Sequence, residues 1–167
     1  MSRGPRVFLV SLLLWTSLIG CRTATPSLPR PARAVTDAAG ILSPDDISAL
    51  ERDLASLKSR DLAEMIIYIV PSLPQGANLE ELTLRSVNSW GVGRRGAGDG
   101  LAIFVFLADH KIRIEVGRGL EGAISDQSAA RIIAENMAPA FVLDAYGEGL
   151  RSAVQEVSRL LEAKTEH

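Results

Sequence analysis

From Ser43 onward, apolar residues recur first at helical spacing, then in short unbroken runs, then in strict alternation. Ser43-Pro44-Asp45-Asp46 starts a helix, with a hydroxyl N-cap, a proline in the first position and two acids beside it. Ile47, Leu50, Leu54 and Leu57 then share one face. Met65–Val70 (MIIYIV), closed by Pro71, is a continuous apolar run, as expected of a strand covered on both faces. Asn78 and Glu81 form an N-cap and N3 pair for a second helix, with Leu79, Leu82, Val87 and Trp90 inward. Leu101–Leu107 (LAIFVFL) is a second buried strand, and Asp109-His110 mark a turn. Lys111–Val116 then alternates: Ile112, Ile114 and Val116 face one way, and Lys111, Arg113 and Glu115 the other. That pattern predicts a strand with one wet face near a sheet edge. Ser125 caps a third helix, with Ala129, Ile132, Ile133 and Met137 inward, stopped by Pro139. Asp144 opens a last helix carrying Leu150, Ala153, Val154, Val157, Leu160 and Leu161.

The expected order is α, β, α, β, β, α, α, an α/β fold. A strand–helix–strand crossover is right-handed and leaves strands 65–70 and 101–107 parallel; the hairpin makes 111–116 antiparallel. The loop entering the second strand and the loop leaving the third then lie at one end of the sheet. Asp99 and Glu121 are therefore expected to be neighbours, although more than twenty residues separate them.

Ahead of this region the pattern changes. Arg3 and Arg6 precede an apolar stretch, VFLVSLLLWTSLIG, which ends at the only cysteine, Cys21. A basic start and an apolar run too short to span a bilayer comfortably are those of a secretory signal. Leu18-Ile19-Gly20-Cys21 resembles the bacterial lipobox, in which the chain is cut before the cysteine and the thiol is acylated. Residues 1–20 are expected to be a lipoprotein signal peptide, and Cys21 the lipidated residue. Residues 21–34, rich in proline and arginine, are expected to form a tether. Arg22 after the cysteine favours the outer membrane in a double-membraned bacterium, so the domain belongs on the periplasmic face of the cell envelope.

Charge narrows the partners. Five arginines of the 18 basic residues precede Val35, so residues 35–167 hold 13 basic against 20 acidic residues, a net of −7. Such a domain disfavours nucleic acid and permits cations. Two segments match G-x-G-x-x-G, Gly91–Gly96 and Gly117–Gly122. The first runs from helix to strand, the reverse of a dinucleotide turn. The second follows a half-exposed strand, and no strand with a ribose-binding acid comes after its helix. Nucleotide binding is not expected. His110 and His167 are the only histidines, so a catalytic triad or a histidine-bound zinc lacks its imidazole. Asp99 between Gly98 and Gly100, Glu121 after Gly119, and Asp126 at the next helix start are the candidate ligands of a hard cation such as Ca²⁺ or Mg²⁺. Asp126 has a competing role against the helix dipole. Alternatively, Asp99 bonds loop amides and Glu121 pairs with an arginine. Arg94 and Arg95 could clamp a phosphate beside a bound metal, or could be solvated.

Five ordered motifs now carry a resemblance: Val35–Ser43 (VTDAAGILS), Trp90–Gly93 (WGVG), Asp99–Leu101 (DGL), Gly117–Gly122 (GRGLEG) and Tyr146–Leu150 (YGEGL). Over residues 35–162 the chain resembles the TPM domain family, with 163–167 left as a tail. That family includes thylakoid-lumen proteins linked to photosystem II repair, receptor-auxiliary proteins and bacterial envelope proteins. The resemblance implies a three-layer α/β/α sandwich with a small mixed sheet, Rossmann-like in layering but without a dinucleotide site. For some members it implies divalent-cation binding and a proposed acid phosphatase activity. Its acidic positions correspond here to Asp37, Asp99, Glu121 and, less directly, Asp126; the strand directions do not bring Asp37 to the others. Many bacterial members carry a C-terminal transmembrane helix and glycine-rich tail. This sequence ends at His167 with neither, and the lipid on Cys21 is expected to replace that anchor.

Two functions compete. One is a membrane-tethered module that binds a divalent cation and assists or maintains an envelope protein complex. The other is a metal-assisted acid phosphatase using Asp99, Arg94 and Arg95.

Overall fold

The computed structural model describes residues 27–165. The leader and Cys21 lie outside the described residues. The domain is a four-stranded mixed sheet between two helical layers. In chain order come β1 (Val35–Asp37), α1 (Pro44–Ser59), β2 (Glu64–Val70), α2 (Leu79–Trp90), β3 (Gly100–Phe106), β4 (Lys111–Val116), α3 (Asp126–Ile132), α4 (Ala138–Phe141) and α5 (Tyr146–Thr165). The strands lie side by side in the order β1-β2-β3-β4. The first three are parallel, and β4 is antiparallel to β3 with Leu101 opposite Val116. Among the described residues no helix is long and apolar enough to cross a membrane.

Strand parity builds the layers. Met65, Ile67 and Ile69 of β2, with Leu101, Ile103 and Val105 of β3, face α1 and α5, where Leu50, Leu54, Leu57, Leu150 and Val157 close the larger core. Ile66, Tyr68, Ala102, Phe104 and Phe106 face α2 and pack with Leu82 and Trp90. Tyr68, Trp90 and Phe104 form an aromatic group with centroids 5.1–6.2 Å apart. Burying side chains on both faces is why β2 and β3 read as unbroken apolar runs; each large residue contributes about 1.5–3 kcal/mol.

Several elements depart from the expectation. β1 is an added strand: three residues are too few for any apolar period to register. Glu115 does not face water. The carboxylate lies under α2, which covers the face assigned as wet, and the residue is buried. Pro139 does not stop the third helix. A π turn over Ile133–Met137 shifts the backbone bonding, so the proline falls in the first turn of α4, where its missing N–H is tolerated. Asp144 does not open α5 but closes the helix before it. At φ +57° it takes the left-handed position of a Schellman cap, with Ala145 N–H donating to Ala140 O and Asp144 N–H to Phe141 O.

The tether also ends earlier than its composition indicates. Leu28 is buried in the α2-side core. Its N–H donates to Ser86 Oγ at 3.0 Å, and its carbonyl accepts from Trp90 Nε1 at 3.1 Å. Residues 28–34 therefore form a docked strap. With Trp90, Val92, Lys58 and Glu64, its residues 30–34 line a cavity of about 350 Å³ at the sheet end where β2 and β3 begin.

Candidate functional site

The two glycine-rich loops meet as chain direction predicts. The β3–β4 pairing continues past the strands: Gly117 N–H donates to Gly100 O at 2.8 Å and Gly119 N–H to Gly98 O at 2.9 Å. Only glycine permits so close a crossing. A Cβ on Gly117 would lie 2.2 Å from Gly98 O, and one on Gly119 would lie 2.2 Å from Ala97 O. These glycines therefore serve backbone-to-backbone packing, not phosphate approach.

Asp99 sits in that crossing with its side chain 7% exposed. One carboxylate oxygen accepts the Arg94 N–H at 2.7 Å, and the other accepts Arg94 Nε at 2.5 Å. The rest of the guanidinium reaches the α1–β2 turn, donating to Asp61 Oδ1 at 2.6 Å and Asp61 O at 3.1 Å. Burial pushes the Asp99 carboxyl up, but the guanidinium and backbone N–H of Arg94 more than reverse this and hold it below the usual carboxylate range. Arg94 is therefore a clamp between two loops, and Asp99 is its anchor. The pair fills the place in which the sequence suggested a metal ligand beside a phosphate clamp.

The other candidates are dispersed. Glu121 and Asp126 are exposed, and Asp126 stands in the first turn of α3 against the dipole. Asp37 ends β1 beside Ile69, at the opposite end of the sheet from Asp99, which precedes the Gly100 partner of Glu64. Its carboxylate accepts the N–H groups of Ala39, Gly40 and Leu42, ordering the turn into α1. Asp37 is thus not brought to the other acids. Among the described residues no three acidic, histidine or cysteine side chains are grouped so as to hold a metal ion. Arg95 is exposed in the first loop, without an ion-pair partner among the described residues.

Between the C-terminal half of α2 and the crossed loops lies a cleft of about 680 Å³. Leu84, Val87 and Asn88 form one wall, the backbone of Gly96–Gly98 and Gly117–Gly119 another, and Arg118 and Glu121 the rim. Glu115 lies at its base, accepting Thr83 Oγ1 at 2.7 Å and Arg113 Nε at 2.9 Å. Sequence reasoning missed this acid. The signal was its register opposite Ala102, which assigns it to the α2 face once α2 is known to cross there. Leu84, 52% exposed, adds an apolar edge.

The model of the TPM domain matches residues 35–160, the whole of this framework apart from the strap and the last helical turn. The chain belongs to the TPM domain family. Its fold is that of the N-terminal domain of a Porphyromonas gingivalis protein (P.gingivalis), 36% identical, with a TM-score of 0.73 over 81% of this chain and 85% of that one. The N-terminal domain of Corynebacterium glutamicum cg2496 (16% identity, TM-score 0.59, 80% and 85% covered) shares the fold. So does BA42 of Bizionia argentinensis (12% identity, TM-score 0.60, 72% and 81% covered). No curated protein matches the chain.

Proposed function

We propose that this TPM domain is a lipid-tethered binding module of the bacterial envelope, which presents the cleft beside its crossed loops to a protein complex at the membrane. The observation that carries this reading is the Arg94–Asp99–Asp61 clamp. It commits Asp99 and Arg94 to holding the loops in shape, leaving Arg95 without the free carboxylate and second arginine a phosphatase would need, while the cleft next to them stays open. Phosphoryl transfer needs groups free to bind phosphate and stabilise developing charge. Arg94 could do so only by leaving two carboxylates. Apolar Leu84 and Val87, with loop backbone and a polar base, suit instead a protein segment.

A divalent cation would compete with Arg94 for Asp99 and is not required by this function. Membrane attachment is assigned to acylated Cys21, which lies outside the described residues. A photo-crosslinking side chain placed at Leu84 in living cells tests the reading against the same group at Gln75, at the far end of the sheet. Discrete adducts at Leu84 alone are expected, and their loss in Cys21→Ala. Equal adducts at both positions, or none at Leu84, would overturn it.

A further inference from the structure

The strap fixes which end of the domain meets the membrane. Seven residue steps separate Cys21 from Leu28, a span of at most about 25 Å when fully extended. Leu28 is docked over the last turn of α2, near the end where β2 and β3 begin. The sheet's opposite end lies about 20 Å farther, the length of β2. A lipid on Cys21 therefore keeps the glycine-loop end near the bilayer, and only a nearly taut tether would bring the other end down.

Charge sorts along the same axis. The far end holds Asp37, Asp45, Asp46, Glu80, Glu81 and Asp109, with Lys111 and Arg85, which pairs with Glu81, as the nearby bases. At the loop end Asp61, Glu64, Asp99 and Glu162 are each paired with a basic side chain, and beside exposed Glu121 the end projects Arg95 and Arg118, both exposed and without ion-pair partners among the described residues. Arg30, also exposed, lies on the strap two residues past Leu28.

We infer that the crossed-loop end of the domain rests on the anionic headgroups of the bilayer, with Arg95 and Arg118 contacting lipid phosphates and the acidic end turned away. This rests on the lipid tether proposed above. Exposed guanidiniums suit such a surface, because a planar fork donates to phosphate oxygens in pairs. The cleft then opens at headgroup level, so a partner in it is engaged where it leaves the membrane. Each basic side chain near an anionic surface is worth about fivefold, so removing both arginines lowers the loop-down population about thirtyfold.

The full lipidated chain, reconstituted into phosphatidylcholine vesicles with or without phosphatidylglycerol, tests this. With Cys21 acylated, Ala97→Cys or Gln75→Cys provides a single thiol for a bimane label, read against a nitroxide on the lipid headgroup. Quenching is expected to be several-fold stronger at residue 97 than at 75. The excess should fall sharply, to the bias the tether alone gives, without phosphatidylglycerol, in high salt, or in Arg95→Ala/Arg118→Ala, whose melting temperature should be unchanged. Equal quenching, stronger quenching at 75, or an excess undiminished by loss of both arginines would overturn the orientation. If position 97 is unquenched by lipid but shielded on native membranes, the face belongs to a protein and the inference fails. A chain that does not float with vesicles would refute the lipid anchor itself, an outcome distinct from floating with equal quenching.

Discussion

Replacing Asp99 by asparagine isolates the charge in the clamp while keeping the side-chain shape. The remaining carbonyl oxygen can still accept the Arg94 N–H, but the amide group faces a guanidinium with which it cannot pair. A hydrogen bond to a charged group contributes about 1.5–3 kcal/mol, more than a neutral one. Asp99 is almost fully enclosed, but the Arg94 side chain is 49% exposed, which weakens the pair toward the value of a surface bridge. The expected cost is about 2 kcal/mol, or about 6–8 °C in melting temperature for a domain of this size. The sign of the pH dependence follows from the lowered carboxyl. The folded state binds this proton less readily than the unfolded chain, which takes it up near pH 4. The stabilisation is therefore complete above about pH 5, shrinks as pH falls through 4, and is lost below the folded value. Urea unfolding of wild type and Asp99→Asn from pH 3 to 7 measures it. The two curves should differ at neutral pH and converge in acid. A constant difference across that range, or no difference at pH 7, would refute charge pairing as the force that holds the loops.

The other expectations follow from single contacts. Gly117→Ala should cost about 3 kcal/mol in denaturant unfolding, because its methyl meets Gly98 O with only backbone to give way. Glu115→Ala should cost about 1–2 kcal/mol, since Arg113 loses its partner and the base of the cleft loses its acceptor. Leu28→Ala should free the strap: trypsin should cut after Arg33 many times faster, while the melting of the sheet changes by about 2 kcal/mol. Asp99→Asn should leave any p-nitrophenyl phosphate hydrolysis by the purified chain unchanged; a large fall would return the phosphatase reading to consideration. Calorimetric titration with Ca²⁺ and Mg²⁺ should give no heat attributable to Asp99, as judged by wild type against the same variant.

What the sequence made legible was whatever a period or a chain direction can encode. β2 and β3 declared themselves as buried runs. Parallel pairing followed from the crossover, and the meeting of Asp99 with the Gly117–Gly122 loop followed from the hairpin. Side-chain partnership was not encoded in that way. Arg94 lies five residues from Asp99, and nothing in that spacing distinguishes a clamp on a neighbouring carboxylate from a clamp on phosphate. The alternation of β4 divided Glu115 from Ile114 correctly but could not say that α2 covers the charged face. Leu28 was hidden for a related reason. Flanking prolines suggest a free tether, and its anchors, Ser86 and Trp90, lie 58 and 62 residues away. β1 fell below the length at which any pattern exists, so the end of the sheet to which Asp37 belongs could not be read.

The charge axis has two sources, and separating them shows where a partner is needed to explain it. α1, α2 and α5 all point their N-termini to one end of the sheet. Asp46 meets Gly147 there, while Lys164 reaches Gly119 at the other. Acids in the first turns of α1 and α2, and lysines in the last turns of α1 and α5, offset the helix dipoles; that much of the sorting would arise in any fold with three aligned helices. Arg95 and Arg118 lie outside every helix, and Arg94 alone suffices for the carboxylate between the loops. Among the described residues no helix dipole or ion pair accounts for those two guanidiniums. They are the part of the basic end that folding does not use, and they stand beside a cleft at the end nearest the lipid. Reversing them to glutamate should therefore leave stability within about 0.5 kcal/mol of wild type, as for other exposed positions. Reversing the helix-end lysines should lower it. A substantial loss of stability in Arg95→Glu/Arg118→Glu would place the pair in the fold and remove the membrane from their explanation.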